Sequence, residues 1–544
     1  MENLYISPMP SVPLDLDVAT SLIDQAQSVI DAALKELLAR GGVDENQIFA
    51  YDLAHAASAL ATARSSLAYA AKGEVEAQLF AAFLAIALSD LAARVLGREA
   101  LWGVRDQWFA PFQPFVAAYR DPTFLSGLAE TPGARHLGED FEMVSALFHR
   151  FAEEQVRPHA EHVHRTNADI PESIIEGLNE LGGFGLSIPE EFGGFSSGGE
   201  SEYLGMVVAT EELSWGSLGI GGSLITRPEI LTRALLNGGT KEQKAHWLPR
   251  LASAQTLCAI AVTEPDYGSD VAGITTSATK TEGGWLINGA KTWCTFAGRA
   301  EVLVLLARTD PDRSLAHRGL SLFLVEKPRS TSEGFLFHQD AEGEGRAKPD
   351  GRLEGRPIDT IGYRGMHSYE LRLDDWFVPD DHLVGGEAGL GRGFYFQMAG
   401  FENGRVQTAA RALGVMQAAY DAALEYARTR VVFGEAIINY ELTRAKLATM
   451  AAIIQCARQF SLNVARQMGR GDGALEASMV KAYVCRAAEW VTREAMQIHG
   501  GMGYAEEYPV SRYFLDARVL SIFEGADETL CLKVIARRLL ENVR

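Results

Sequence analysis

Cysteine is scarce in this chain of 544 residues, and its five copies are scattered: Cys258, Cys294, Cys456, Cys485 and Cys531. They form no CxxC pair and no other spacing typical of metal ligands, which argues against a structural zinc site and a disulfide framework. We therefore expect free thiols in a reducing compartment and no bound metal.

Positive charge is also in short supply. The 50 lysine and arginine residues are outnumbered by 71 aspartate and glutamate residues, which gives a formal net charge of −21. Nucleic acids and anionic membranes both attract cationic surfaces. The acidic excess therefore argues against a protein that binds nucleic acid or a membrane surface.

Long hydrophobic runs and a secretory leader are missing too. The longest apolar run, residues 80–88, is far shorter than the ~20 residues that a membrane-spanning helix needs. The N-terminus has no basic segment followed by an apolar one, as a signal peptide would have. The sequence thus predicts a soluble cytoplasmic protein.

The chain contains, in order, helical, β-rich and again helical segments. Alanine-rich helix formers fill the first part, and proline and glycine interrupt the chain near residue 135. Short β-branched runs follow Cys258, and long amphipathic patterns follow Phe394. Residues 329–358, charged and rich in glycine, are interpreted as a surface loop. We predict a helical extension, a helical domain, a β-domain and a C-terminal helical-bundle domain over residues 1–135, 136–257, 258–379 and 380–544.

Two neighbouring motifs of the β-rich segment suit a flat heteroaromatic ligand. Thr263 and Ser269 flank a turn that follows a predicted strand ending near Val262. In the next strand-like run, alternation places Trp293 and Thr295 on one face. An indole and a hydroxyl on one face could hold a flat ring, although a buried core tryptophan is the simpler interpretation of Trp293 alone.

The most informative stretch lies near the C-terminus. A turn containing Gly500, Gly501 and Gly503 follows Gln497, and a lone carboxylate, Glu524, stands 21 residues after the last of these glycines. Such a turn lets backbone amides approach a phosphate or a flavin, although a plain loop or helix cap is the alternative. The apolar neighbours of Glu524 favour its protonated form and would make it a usable base.

In their order along the chain, these motifs resemble those of the acyl-CoA dehydrogenases, flavoproteins that oxidise acyl-CoA thioesters to enoyl-CoA. The resemblance covers about residues 138–544. It rests on residues 186–194, 263–270, 293–295, 430–434, 497–503 and 523–525. It implies an α+β multidomain fold in which an N-terminal α-helical domain, a central β-domain and a C-terminal four-helix bundle follow the extra helical extension.

The resemblance also implies roles for individual residues. Glu524 would be the base that removes the α-proton of the substrate. FAD would be contacted by Val262, Thr263, Ser269, Trp293, Thr295, Arg430, Phe433, Gln497, Gly500, Gly501, Gly503 and Glu528. Substrate would be contacted by Ser269, Phe401, Glu402, Arg405 and Gly525. In the family, Arg430, Phe433 and the glycine turn reach the FAD of a neighbouring subunit, which implies a homo-oligomer, either a tetramer or a dimer.

The family has a second position for the catalytic base. One branch of the family carries it on a helix, immediately before a substrate-binding arginine. Here that position is Gly404, before Arg405, which favours Glu524. Glu402 is the next candidate, and a surface ion pair with Arg405 is its simpler interpretation. The chain departs from the family pattern at Ile260, Glu441 and Ala526.

The length and helical front segment resemble a branch of the family that acts on a short, branched acyl-CoA with a second, free carboxylate. Burying that carboxylate unpaired is costly, so an arginine should enter the acyl pocket. Arg227 is the candidate and Arg364 the second option, with a surface arginine as the alternative for Arg227. Electrons would pass to an electron-transfer flavoprotein.

Three alternatives remain at this point. The enzyme could act on another short or branched acyl-CoA, or it could be an acyl-CoA oxidase that uses dioxygen. A non-catalytic acyl-CoA-binding scaffold is the third, and the intact Glu524 and flavin motifs argue against it.

Overall fold

The computed structural model describes residues 13–339, 342–343, 346–347 and 350–543. They belong to two compact units. The terminal unit combines residues up to 140 with residues 415–464 and 473–544. The central unit comprises residues 141–414 and 465–472.

The N-terminal extension is helical, as predicted. Its helices are α1 (Leu16–Ala39), α2 (Gln47–Ser65), α3 (Leu67–Ala70), α4 (Glu74–Val95), α5 (Gln113–Tyr119) and α6 (Pro122–Gly127). The Asp15 side chain begins α1 by accepting hydrogen bonds from the first free amides of the helix. Asp121 does the same for α6, whose first residue is the proline that interrupts the sequence pattern.

Among the described residues, one helix, α4, is long and apolar enough to cross a membrane by length and composition. The apolar run of residues 80–88 is the centre of this longer helix. Phe80, Phe83 and Leu84 are fully buried within the terminal unit, as expected of a helix in a protein core.

Six helices lead into the sheet of the central unit. They are α7 (Glu139–Phe151), α8 (Arg157–Thr166), α9 (Glu172–Glu180), α10 (Gly199–Gly216), α11 (Thr226–Gly238) and α12 (Lys241–Ala252). Thr240 and Gln243 form a reciprocal capping box that begins α12. The Gln243 side chain also donates to the carbonyls of Asp381 and Leu383, which ties this helix end to the segment after the sheet.

The strands are β1 (Cys258–Ala261), β2 (Ser277–Thr281), β3 (Gly284–Lys291), β4 (Val302–Arg308), β5 (Leu320–Glu326), β6 (Phe335–Gln339), β7 (Glu342–Gly343), β8 (Arg346–Ala347), β9 (Gly351–Ile358) and β10 (Ser368–Pro379). The main sheet has the order β1-β4-β2-β3-β10-β9-β6, with β5 paired to β4. Strand β1 runs parallel to β4, and the β4–β5 pair is antiparallel. Strands β7 and β8 pair with each other.

Strand β4 is buried on both faces, which explains its uninterrupted apolar sequence. Val302, Val304 and Leu306 pack with residues of α11 and α12. Leu303 and Leu305 point into the opposite core, which contains Trp285 and Tyr369. The sheet is therefore held between a helical layer and a second core of its own.

The surface-loop prediction for residues 329–358 is wrong in its described part. Strands β6 and β9 form an antiparallel pair at the edge of the sheet. Phe335 and Phe337 alternate with exposed neighbours and pack onto the core, so a period of two was hidden among the charges and glycines. The rest of the predicted loop between these strands, apart from residues 342–343 and 346–347, lies outside the described residues.

The C-terminal elements are α13 (Gly393–Thr429), β11 (Val431–Val432), β12 (Glu435–Ala436), α14 (Glu441–Gly469), α15 (Ala474–His499), α16 (Pro509–Leu520), α17 (Asp527–Thr529) and α18 (Ala536–Glu541). A π-helical segment, Leu530–Ile535, joins α17 to α18. Helix α13 begins in the central unit and continues into the terminal unit from Val415.

Within the terminal unit, the extension packs against the C-terminal helices of the same chain. The rings of Phe83 and Tyr483 meet edge to face with centroids 5.8 Å apart. Gln455 of α14 donates to the carbonyls of Pro132 and Gly133 at 2.6 and 3.0 Å. Asp44 forms ion pairs with Lys533 and Arg537 at 2.7 and 2.8 Å. The extension and the C-terminal helices therefore make up one compact body.

Candidate active site

In the central unit, the loops that follow β1 and β3 lie side by side. The Thr292 N–H donates to the Thr263 carbonyl at 2.9 Å. Beyond it, Cys294 exchanges backbone hydrogen bonds with Tyr369, the second residue of β10. The residues predicted to hold a flat ring are therefore fixed between two parts of the sheet.

A buried ion pair supports the first of these loops. Glu264 and Lys291 are 2.9 Å apart, and both are almost fully buried. The Glu264 carboxylate also accepts the N–H groups of Thr275 and Thr276. Burial alone would raise the pKa of Glu264, but the charge of Lys291 and these hydrogen bonds outweigh it and lower the pKa to about 2. Lys291 also donates to the Val262 carbonyl, so the pair fixes the start of the loop.

Trp293 is not a core residue. Its side chain is 57% exposed, and its backbone has a left-handed φ of +57°. The alternative that Trp293 is buried in the β-core is therefore wrong. Left-handed conformations of residues other than glycine are strained and cluster at functional sites.

The prediction that strand alternation places Trp293 and Thr295 on one face is also wrong. Strand β3 ends at Lys291, and the left-handed residues Trp293 and Phe296 interrupt the extended backbone. Thr295 is buried, and its hydroxyl lies 3.0 Å from that of Ser368. An exposed indole followed by a buried pair of hydroxyls still fits a flat flavin ring. Thr263, which is hydrogen-bonded to Thr292, is half-buried, and Ser269 is exposed.

Arg227 lies in the first turn of α11 and is only 6% exposed, so the surface-arginine alternative is wrong. Its guanidinium donates to the Tyr363 hydroxyl at 3.3 Å, and that hydroxyl donates to Ser223 at 2.5 Å. Arg227 also lines a small cavity, which has about the least space that can hold one water molecule. Arg364, the second option, donates to the backbone carbonyls of Thr360 and His164.

Arg411 was missed by the sequence reasoning. It is completely buried on α13, and it donates to the hydroxyls of Ser223 and Thr408 at 3.0 and 2.9 Å. Arg227 and Arg411 therefore approach the same pair of hydroxyls, those of Tyr363 and Ser223. Its spacing could have indicated Arg411 in the sequence. It lies seven residues after Gly404, which is two helical turns along the same face.

Other predicted substrate residues share this helix. Phe401, Glu402 and Arg405 are all half-buried, so Glu402 and Arg405 are not a fully exposed surface pair. Burial raises the pKa of Tyr203, and the charges of Glu229 and Glu402 act in the same direction. The guanidinium of Arg233 lies over the ring of Tyr203 at 4.7 Å.

In the terminal unit, Glu524 stands in the turn between α16 and α17. Its φ is +55°, and that of Gly525 is +101°. The Asp527 N–H donates to the Ser521 carbonyl at 3.1 Å and closes the turn. The buried Lys481 of α15 donates to the Gly525 carbonyl. A half-buried carboxylate is thereby presented from a strained and well-supported backbone.

The remaining predicted flavin contacts of the terminal unit are mostly exposed. Phe433 lies at the tip of the β11–β12 hairpin with a φ of +52°, and 96% of it is accessible to solvent. Exposed positions also include Arg430, Gln497, Gly500, Gly501 and Glu528. Gly503 is buried, and a Cβ there would lie 2.4 Å from the Met496 carbonyl oxygen. Val431, 57% exposed, lies on the same hairpin, so Phe433 is part of a small exposed apolar surface.

Comparison with known proteins decides the family. Residues 138–255, 259–376 and 391–540 match the N-terminal, middle and C-terminal domains of acyl-CoA dehydrogenase. The chain belongs to the acyl-CoA dehydrogenases. The predicted family and its α+β fold, with helical, β and helical domains, are confirmed.

Individual relatives extend this result. The chain is 38% identical to a (2S)-methylsuccinyl-CoA dehydrogenase of Cereibacter sphaeroides, over 97% of this chain and 98% of the relative. An acyl-CoA dehydrogenase of Bacillus subtilis is 34% identical over 74% of this chain and 99% of its own. Butyryl-CoA dehydrogenase from Megasphaera elsdenii has a similar structure, with a TM-score of 0.66, 29% identity, and coverage of 74% of this chain and 99% of that one.

This acyl-CoA dehydrogenase is therefore a flavin-dependent oxidoreductase that acts on the CH–CH bond of an acyl-CoA. The scaffold alternative falls away with that result. The roles of individual residues stay predictions. The structure shows that three of these residues, Trp293, Phe433 and Glu524, have left-handed backbones.

We expect Glu264→Gln to lower the free energy of unfolding by about 3 kcal/mol at pH 7, since the shift from 4.5 to about 2 is lost. Because the folded pKa lies below the unfolded one, this stabilisation is present above pH 4.5 and disappears as the pH falls toward 2. Denaturant unfolding of wild type and variant across this range measures it. Glu282→Gln, which changes an exposed carboxylate in the β2–β3 turn, is the control. A pH-independent difference would contradict the role of the ion pair.

Proposed function

We propose that this acyl-CoA dehydrogenase oxidises (2S)-methylsuccinyl-CoA to mesaconyl-CoA in the ethylmalonyl-CoA pathway, with FAD as cofactor and an electron-transfer flavoprotein as acceptor. One observation carries the substrate. The methylsuccinyl-CoA dehydrogenase of Cereibacter sphaeroides aligns with 97% of this chain, and so includes the extension. The Bacillus subtilis relative covers 74% of the chain, about the length of the three family domains.

In the proposed reaction, the Glu524 carboxylate takes the proton from the carbon next to the thioester. Its left-handed turn fixes the direction of the side chain, and its backbone N–H would donate to the thioester oxygen, where charge develops. When bound, the flavin supplies the acceptor for the β-hydrogen as hydride. Trp293 would pack against the flavin ring and exclude water from one side of it.

The proposed substrate carries a free carboxylate, and the central unit offers buried positive charge for it. Arg227 and Arg411 both approach the hydroxyl pair of Tyr363 and Ser223. Burial raises the pKa of the Cys258 and Cys294 thiols to about 12, and the charge of Arg227 acts in the opposite direction. Guanidinium groups suit carboxylates because they donate two parallel hydrogen bonds.

A second copy of the chain would complete the cofactor site. Phe433, Arg430 and the glycine turn 500–503 present aromatic, cationic and backbone N–H groups to the exterior of the terminal unit. These groups suit the adenine and phosphates of FAD bound by a neighbouring subunit. We therefore propose a homo-oligomer, a dimer or a tetramer, and Phe433→Ala should lower its flavin content.

We expect Glu524→Gln to keep the yellow colour of the protein and to slow anaerobic flavin reduction by methylsuccinyl-CoA about 10²–10⁴-fold, the usual contribution of a general base. The amide preserves the size of the side chain but cannot accept the proton. Stopped-flow absorbance measures the rate constant. Glu402→Gln serves as the comparison, and a larger loss there would assign the base to Glu402.

The buried arginines generate a test of the substrate. Arg227→Ala should raise KM for methylsuccinyl-CoA by about 30-fold or more, because a buried carboxylate loses its charged partner. The rise in KM for butyryl-CoA should be far smaller. Arg411→Gln should act in the same direction. Steady-state kinetics with an electron-transfer flavoprotein measure KM for both acyl-CoAs. The peroxide yield under air separates a dehydrogenase from an oxidase. Equal effects on both acyl-CoAs would contradict the assignment.

A further inference from the structure

The extension reaches the segment that follows Glu524. The Tyr51 hydroxyl of α2 donates to the Asp527 carboxylate at 2.5 Å. His55, one turn further along α2, lies 2.9 Å from the same carboxylate oxygen and is almost fully buried. We refer to Tyr51, His55 and Asp527 together as the Asp527 contact. It joins residues more than 470 positions apart, within the terminal unit.

Asp527 is well placed to affect the turn that carries Glu524. It is the first residue of α17, three positions after Glu524, and its own N–H closes the turn on the Ser521 carbonyl. The turn also receives the hydrogen bond from Lys481 to the Gly525 carbonyl. Two left-handed residues, Glu524 and Gly525, lie between these supports. Such a conformation persists only when its surroundings impose it.

The Asp527 carboxylate is ionised in this setting. Burial alone would raise its pKa, but the hydrogen bond and charge of His55, with the Tyr51 hydroxyl, outweigh burial and lower the pKa. Hydrogen bonds to an ionised acceptor are stronger than those between neutral groups. The Asp527 contact is therefore a strong attachment of the turn to α2.

A metal site is the other interpretation of this cluster, because ligand atoms of His55, Asp527 and Cys531 lie within 4.8 Å of one another. The hydrogen bonds account for the arrangement without an ion. One oxygen of Asp527 already serves both Tyr51 and His55. Burial raises the pKa of the Cys531 thiol well above neutrality, so it stays protonated.

We propose that the extension positions the catalytic base, with Tyr51 and His55 acting as positioning residues that hold the Glu524 turn through Asp527. The proposal rests on the proposed role of Glu524 as the base. Removal of these hydrogen bonds frees the turn to leave its left-handed conformation. Proton abstraction then slows, whereas the flavin is retained, because all predicted FAD contacts except Glu528 lie outside this turn and α17.

The test is a matched set of variants of the full-length holoenzyme. Tyr51→Phe combined with His55→Leu removes both donors, and His55→Gln keeps a donor near the position of Nε2. Asp44→Asn is the control: it breaks the ion pairs to Lys533 and Arg537, also between extension and C-terminal helices, without touching Asp527. Stopped-flow flavin reduction at saturating acyl-CoA, flavin content and the thermal midpoint are measured for each.

We expect the double variant to reduce its flavin about tenfold more slowly or worse, with KM within about twofold and flavin content unchanged, since small misplacements of a reacting group are costly. The single variant His55→Gln should keep most of the wild-type rate of flavin reduction. Asp44→Asn should lower the thermal midpoint but reduce flavin at the wild-type rate. A wild-type rate in the double variant, or an equal loss in Asp44→Asn, would overturn the proposal.

Hydrogen exchange of the backbone amides of residues 521–527 gives a readout that needs no turnover. Exchange should be faster in the double variant and unchanged in Asp44→Asn. If wild-type enzyme is reduced by none of the acyl-CoAs offered, the proposed function fails, and the exchange comparison still decides whether the extension holds the turn. Unchanged exchange in the double variant would refute the attachment. If a chelator abolished the difference in exchange between wild type and double variant, a bound metal rather than the hydrogen bonds would hold the turn.

Discussion

A carboxylate presented from a left-handed turn keeps its direction only if that turn is held from several sides. Glu524 has a φ of +55°, which residues other than glycine rarely adopt, and three contacts restrain the turn around it. They are the Ser521–Asp527 backbone bond, the Lys481 donor and the Asp527 contact. Lys481 belongs to α15 and Tyr51 to α2, so the geometry of one carboxylate depends on both ends of the chain.

The central unit solves a related problem with buried charge. Trp293 presents its indole from another left-handed turn, and the neighbouring strand end is fixed by the Glu264–Lys291 pair. Replacing one partner of such a pair leaves an uncompensated buried charge, which is strongly destabilising. Both units therefore hold an exposed or half-buried candidate site residue in place by means of polar groups that are themselves removed from solvent.

The family and the order of its domains were predictable from the sequence because the motifs are local: each lies within a few residues along the chain. Trp293 and Glu524 were selected as candidates for the site in this way. Residues whose meaning depends on distant partners were not. Arg411 meets Ser223 across 188 positions, and Asp527 meets Tyr51 across 476. Alternation also failed beyond Lys291, since two left-handed residues there end the extended backbone that the period of two assumes.

The position of the extension gives a physical reason why it could accompany one substrate rather than the whole family. It contributes Tyr51 and His55 to the Asp527 contact, and so acts on the proposed base, whereas Arg227 and Arg411, the candidates for the substrate carboxylate, belong to the central unit. A dicarboxylic acyl-CoA brings a second negative charge toward a reaction that must also begin with an ionised glutamate. Under the proposed function, the arginines of the central unit would neutralise that second charge, and α2 would restrain the turn of the base in the terminal unit.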